Sequence, residues 1–183
     1  PAYREALAVA CLVLVGVFAV SAGLRGRASA VAYSPDDAIY PNGVKRDHQS
    51  VVAFMERDVM PWARQALAPI KGGPDRVSCE TCHARNPETR DWRMPAVAAL
   101  PKPDMAQRGW ETYSAGMDAQ MRNAIYGYLA ESDNQAKAAY MRETVMPGMA
   151  RLLHRPAYDF TNTYDFNRTR NAFGCYQCHD VKP

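Results

Sequence analysis

The sequence predicts a mainly α protein: an apolar N-terminal helix, then a small, loop-rich domain made of two helix-plus-motif repeats. Three observations carry this reading. Residues 6–24 read ALAVACLVLVGVFAVSAGL, with no charge among them. The segment Phe54-Met55-Glu56-Arg57-Asp58-Val59-Met60-Pro61-Trp62-Ala63-Arg64 recurs as Tyr140-Met141-Arg142-Glu143-Thr144-Val145-Met146-Pro147-Gly148-Met149-Ala150-Arg151. An aromatic-Met pair, a Val-Met-Pro triplet and an Ala-Arg end return in order, with one inserted residue. Each copy is followed by one pentapeptide pattern, Cys79-Glu80-Thr81-Cys82-His83 and Cys175-Tyr176-Gln177-Cys178-His179. A unit repeated in sequence is expected to be a unit of structure. The expected organisation is an anchor over 1–27, a connector over 28–44, a first lobe over 45–90, a Pro-rich linker over 91–112 and a second lobe over 113–183.

The apolar run of about 19 residues is close to the ~20 that a helix needs to span a bilayer. Arg4 precedes it and Arg25 and Arg27 follow it. Basic residues on both flanks leave the positive-inside rule indecisive. A cleaved secretory signal ending at Ala28-Ser29-Ala30 is the competing reading, but the run exceeds the ~7–15 residues of a signal core. A retained transmembrane helix is therefore expected. Cys11 lies inside the run, and Ala8-Val9-Ala10-Cys11 matches a lipobox poorly. It reads as a small thiol facing lipid or a neighbouring helix.

Residues 31–46 contain Pro35, Pro41 and Asn42-Gly43 and read as a connector. Asp47 is a plausible N-cap for a helix that places Val51, Phe54, Met55 and Val59 near one face. Pro61 and Pro147 each lack an amide donor and crowd the preceding turn, so both repeat helices are expected to kink or stop there. Residues 86–109 carry Pro87, Pro95, Pro101 and Pro103 and read as extended, surface-wrapping chain. A helical stretch is expected over 110–130. A turn at Glu131-Ser132-Asp133-Asn134 precedes a helix that resumes at Gln135. No run alternates convincingly enough to predict a strand.

Cys-x-x-Cys-His is the attachment signature of a c-type haem. Two thiols three residues apart can both form thioethers to one porphyrin, and the adjoining histidine then serves as the iron's proximal ligand. The two copies use four of the five cysteines and two of the four histidines. The expected cofactors are two covalently bound haems, on Cys79, Cys82 and His83 and on Cys175, Cys178 and His179. A zinc ribbon could also use two Cys-x-x-Cys pairs. These pairs lie about 96 residues apart, against the ~15–20 expected for such a site. Covalent haem attachment puts the motifs outside the bacterial cytoplasm. The expected topology is thus a single pass of the inner membrane, amino end cytoplasmic and haem domain periplasmic.

The sixth axial ligands remain open on the residues alone. His48 and His154 are the spare histidines, and nine methionines are available. The histidines are not equivalent in the repeat, since His48 precedes its Met-Pro element and His154 follows. Met55 and Met141 are equivalent, as are Met60 and Met146. Methionine at helical spacing is also ordinary core packing. Arg57, Arg64, Arg76, Arg151 and Arg170 are candidates to neutralise haem propionates.

Met55-Glu56-Arg57-Asp58, followed by Arg76-Val77-Ser78-Cys79-Glu80-Thr81-Cys82-His83, resembles the multihaem cytochrome subunit bound to purple-bacterial photosynthetic reaction centres. The resemblance covers about a third of the chain. In that family a methionine on the helix before the haem motif usually ligates the iron. The resemblance therefore implies Met55 as a ligand and, through the internal repeat, Met141. The chain departs from the family in having two haem motifs where four are typical.

These observations lead to the expectation of a membrane-anchored dihaem cytochrome c. It would pass electrons on the periplasmic face as a subunit of a photosynthetic or respiratory complex, with a redox partner protein on that side. No catalytic residue of its own is required for that task. The rival class is a dihaem enzyme, a peroxidase or small-molecule reductase, with one open haem site. A haem-based sensor would need a signalling domain that is not visible. The net charge of +3 and the lack of a long basic run argue against nucleic acid.

Overall fold

The computed structural model describes residues 11, 13–14, 33–100, 119–126 and 135–181. The chain divides into two compact units, Pro1–Ala30 and Val31–Pro183. In the first, Cys11, Val13 and Leu14 are helical and exposed. The rest of the expected membrane segment, 6–24, lies outside the described residues. Among the described residues no helix is long and apolar enough to cross a membrane.

The second unit is mainly helical. Asp47 caps the first helix as expected, its carboxylate accepting the Ser50 N–H at 2.9 Å. From there α1 (His48–Phe54), a π turn (Met55–Val59) and α2 (Met60–Lys71) run on as one continuous helix. A short helix α3 (Cys79–His83) carries the first Cys-x-x-Cys-His motif. The strand β1 (Val97–Leu100) and helix α4 (Ala119–Tyr126) follow. The second repeat helix begins at Gln135, again as expected, with α5 (Gln135–Tyr140), a π turn (Met141–Val145) and α6 (Met146–Leu152). Helix α7 (Tyr164–Thr169), a 3-10 turn (Cys175–Gln177) holding the second motif, and strand β2 (His179–Val181) complete the order.

The sequence repeat is thus a structural repeat down to its irregularity. Both copies carry a five-residue π turn beginning at the methionine that follows the aromatic residue. Of the two expected outcomes at Pro61 and Pro147, a kink or a stop, neither helix stops; each carries its irregularity in the π turn just before the proline. A proline ring clashes with the carbonyl four residues back. One extra residue in the preceding turn relieves that clash by widening the coil. Met60 N–H instead reaches the Met55 carbonyl, and Met146 N–H the Met141 carbonyl. Each helix therefore passes its proline without stopping.

The two helices pack reciprocally. Helix α2 contacts the second π turn, and α6 contacts the first. At the crossing, Trp62 lies against Gly148, which is its own counterpart in the repeat. A Cβ on Gly148 would overlap the Trp62 indole. Val59 and Val145 are both buried, and Ala63 and Ala150 are each 1% exposed. The repeat helices thus pack on each other at one crossing.

Two apolar clusters flank the crossing. One groups Ala63, Leu67, Val77 and Val145, with Trp62, Cys82, Tyr140 and Met141 packed on it. The other groups Ala38, Met146, Ala150, Leu153, Tyr158, Ala172 and Phe173, with Phe54, Met149 and Cys178 among those packed on it. The Tyr140 hydroxyl ties the two helices further by donating to the Ala66 carbonyl at 2.9 Å.

Two expectations are amended. Residues 97–100 of the Pro-rich linker do not simply wrap the surface. They form a parallel pair with β2, with Val97 opposite His179 and Ala98 opposite Asp180. Strands of four and three residues are too short to show an alternating pattern. Residues 33–44 of the connector are also docked. Asp37, 1% exposed, makes a bidentate pair with Arg155, at 2.6 Å from Nε and 3.2 Å from Nη2. Asp37 also accepts the Ile39 and Tyr40 N–H groups at 2.9 and 2.7 Å. Arg155 stacks over Tyr33, and Ala38 N–H reaches the Leu153 carbonyl.

Burial alone would raise the Asp37 carboxyl. The Arg155 guanidinium and the two backbone donors outweigh it and hold the group below the ordinary carboxylate value. A depressed folded-state value contributes stability above the unfolded value of about 3.9, and that contribution is lost as pH falls through the folded one. Asp37→Asn should destabilise the protein by about 3 kcal/mol at neutral pH, because it strands a buried guanidinium. Urea titrations repeated at falling pH should show the gap between wild type and variant closing in acid. The helix crossing makes a separate prediction. Gly148→Ala should cost about 2 kcal/mol through overpacking, despite alanine's better helix propensity. In a Trp62→Ala background the same change should be neutral or stabilising, so a double-mutant cycle will show strong coupling.

Candidate functional site

The two Cys-x-x-Cys-His motifs meet at the β1–β2 pair. The second motif ends in β2, and the Cys178 carbonyl accepts both Ala96 N–H and Val97 N–H at 3.0 Å. Helix α3, with the first motif, packs against β1. A segment that reads as a linker in sequence is the bracket between the two sites.

The first motif is built locally. Ser78 is the N-cap of α3, and its N–H donates to Thr81 Oγ1 at 3.0 Å. Thr81 N–H returns to the Ser78 carbonyl at 3.0 Å. One helical turn brings Cys79, Cys82 and His83 onto a common side. After His83 the chain enters a strained loop, with Ala84, Asn86, Asp91 and Trp92 all at positive φ. For a bulky residue such as Trp92, at φ 54°, this conformation is an outlier. It costs about 1–3 kcal/mol and persists only where its surroundings enforce it. The strain sets both the ring and the carbonyl of Trp92 against His83. The rings meet edge to face at 5.3 Å, and His83 Nδ1 lies 3.2 Å from the Trp92 carbonyl. A carbonyl only accepts, so this contact fixes the proton on Nδ1 and leaves the Nε2 lone pair free.

The second motif is held from a distance. Asn123 on α4 is fully buried. Its Oδ1 accepts Tyr176 N–H at 3.0 Å, and its Nδ2 donates to Gln177 Oε1 at 3.1 Å. Gln177 Oε1 also accepts Gly174 N–H at 2.8 Å, and Gln177 Nε2 donates to the Ala172 carbonyl at 3.0 Å. Gln120, one turn before Asn123, donates to the same carbonyl. Asn123 lies so close to residue 174 that any Cβ there would overlap it. Asn167, also fully buried, braces the preceding loop by accepting Asp159 N–H and donating to the Asp159 and Thr163 carbonyls.

Burial is the first cause of the shifts at the motifs, although Cys79 itself is exposed. Burial lowers His83 below the ordinary imidazole value, with the Trp92 carbonyl acting against it. Burial likewise lowers His179, and the Val97 backbone opposes the shift. His179 Nδ1 is buried and, among the described residues, has no partner at hydrogen-bonding geometry. The Cys82 thiol is raised by burial. The Cys178 thiol is pushed up to about 12, by burial first and then by the nearby Cys82 and Cys175. Of these two, Cys82 belongs to the other motif. All four motif cysteines are unbridged. Among the described residues no three His, Cys, Asp or Glu side chains stand together at metal-ion spacing, so the two Cys-x-x-Cys pairs do not converge as a ribbon site.

The remaining sequence candidates are distributed as follows. His48 is exposed at the start of α1. His154 is exposed, with Nδ1 3.5 Å from Asp36. It borders an open cleft of about 420 Å³ at the helix crossing, lined also by Phe54, Asp58, Trp62, Gly148, Arg151 and Leu152. Neither histidine is brought to a motif. Met141 shares a cluster with Cys82, and Met146 is buried in the cluster that carries Cys178. Met55 and Met60 are half-buried. Of the arginines, Arg57 pairs with Asp58 at 2.6 Å and Arg170 stacks on Phe166. Arg64, Arg76 and Arg151 are exposed.

The residues at the motifs fit a covalently held haem. A ligating histidine characteristically donates its second ring nitrogen to a backbone carbonyl or carboxylate, and His83 does so to Trp92. Trp92, Asn123 and Val97 escaped the sequence reading. No periodicity or spacing marks them, because each acts across a loop or between distant segments. Comparison with protein-family models, curated proteins and solved structures returns no match.

Asn123→Ala should leave the buried Tyr176 N–H unmatched, with Gln177 Oε1 keeping only the Gly174 N–H, and cost about 2 kcal/mol. Denaturant unfolding will measure the loss. Amide exchange should show faster opening around Tyr176 than around Thr81.

Proposed function

We propose that the chain is a membrane-anchored dihaem cytochrome c that carries electrons on the periplasmic face of a bacterial inner membrane. The single observation that carries this reading is the pair of Cys-x-x-Cys-His motifs brought side by side, one of them with its histidine already oriented. Cys79 and Cys82 would hold one haem and Cys175 and Cys178 the other, with His83 and His179 as proximal ligands. Each haem, when bound, supplies an iron that takes up and gives up one electron. The protein's own residues do the rest. The Trp92 carbonyl holds the His83 proton on Nδ1 and so aims Nε2. The β1–β2 bracket keeps the motifs adjacent. The apolar clusters exclude water, which favours the less charged reduced state.

Electron transfer is supported over an enzyme by the surroundings of the spare histidines. An enzyme with an open haem needs an acid-base group over the iron. His48 is exposed at the start of α1, and His154 is exposed beside Asp36. The 6–24 segment would confine the carrier to the membrane, where other subunits of a photosynthetic or respiratory complex and a periplasmic redox protein would be its partners. The near-neutral charge supports protein partners over nucleic acid.

The test is cofactor content. The purified chain should exceed its polypeptide mass by two haems that resist acid-acetone extraction. Cys79→Ala and Cys175→Ala should each remove or loosen one. The reduced protein should bind carbon monoxide poorly. One haem, bound zinc, or rapid carbon monoxide binding would overturn the reading.

A further inference from the structure

The packing of the repeat helices bears on which methionine faces which motif. The resemblance noted in the sequence implies that each iron takes its methionine from the helix of its own repeat. The reciprocal crossing favours the opposite. Because the helices cross at Trp62 and Gly148, the half of each helix before the crossing lies over the other repeat. Helix α2 contacts the second π turn and α6 contacts the first. Met141, which opens the second π turn, packs on Ala63, Leu67, Val77 and Val145 together with Cys82 of the first motif. Its neighbour Tyr140 is pinned there by the hydrogen bond to Ala66. Phe54, the counterpart of Tyr140, packs with Cys178 of the second motif on the other cluster. Met55 follows Phe54 as Met141 follows Tyr140.

The π turns give this arrangement a purpose. A π turn inserts one residue, which rotates everything upstream by about 100° relative to a regular helix. Such turns are common at functional sites. Here both begin at the methionine itself. A thioether on an unbranched, flexible side chain can then reach across to a neighbouring site.

We propose that the two haems are ligated crosswise, Met141 completing the iron held by His83 and Met55 completing the iron held by His179. This rests on the dihaem reading, and the experiment separates the two. The full-length chain is first weighed, and two covalent haems establish the reading. A variant with Cys175→Ala and Cys178→Ala is then prepared, retaining only the first haem. Its oxidised spectrum should show the weak far-red sulfur-to-iron band. Met141→Ala in this background should abolish the band and give a high-spin haem that binds carbon monoxide. Met141→His should abolish the band yet stay low-spin, with a lower reduction potential. This second variant keeps the test valid if the alanine change unfolds the protein. The reciprocal variant, lacking Cys79 and Cys82, should lose its band with Met55→His. Two covalent haems with loss of the first haem's band on Met55→His, but not on Met141→His, would mean same-repeat ligation and overturn the proposal. A parent spectrum with no such band would overturn it equally. Absence of covalent haem would overturn the dihaem reading itself.

Discussion

Trp62 fits against the second repeat helix only because residue 148 has no side chain. That close approach sets the spacing of the two long helices, and most of the 31–183 unit is arranged around it. It buries Ala63 and Ala150 and separates the two apolar clusters. It also brings each π turn onto the opposite helix. Had both positions carried tryptophan, the helices would be forced apart. Had both carried glycine, the crossing would lack apolar area to bury. The repeat is nearly symmetric in pattern, yet its centre works because its two copies differ.

Around this centre the chain uses extended segments as clamps. The connector docks through Asp37 and Arg155, and the Pro-rich segment contributes β1. Pro95 precedes this strand, and its exclusion from regular helix keeps the segment extended and available to pair. The consequence for the site is proximity. Two motifs almost a hundred residues apart are joined through β1, which pairs with β2 of the second and packs against α3 of the first.

Much of this organisation was legible in the residues. The Asp47 cap, the restart at Gln135 and the repeat itself follow from local chemistry and appear where expected. The prolines marked where each helix is irregular but not how, because a helix can absorb one by adding a residue, and nothing in composition announces a π turn. The strands escaped because a three- or four-residue pair is defined by its partner. At the site, the cysteines and motif histidines are self-evident from spacing. Trp92 and Asn123 are not, since a carbonyl aimed at a histidine or an amide bridging 53 positions is a property of the folded chain. The four-histidine arithmetic also pointed toward His48 and His154, which the fold leaves exposed.

The two motifs differ in what they need before they exist. The helical turn of the first is shaped by Ser78 and Thr81, its immediate neighbours, and its histidine by Trp92, nine residues on. The second takes its shape from Asn123 and Gln120, so it must wait for a distant helix to arrive. Contacts of long sequence separation form late, since loop closure has to precede them. The chain therefore carries an intrinsic timetable. The turn of the first motif is set by local contacts, while the second becomes ordered only as α4 docks against it.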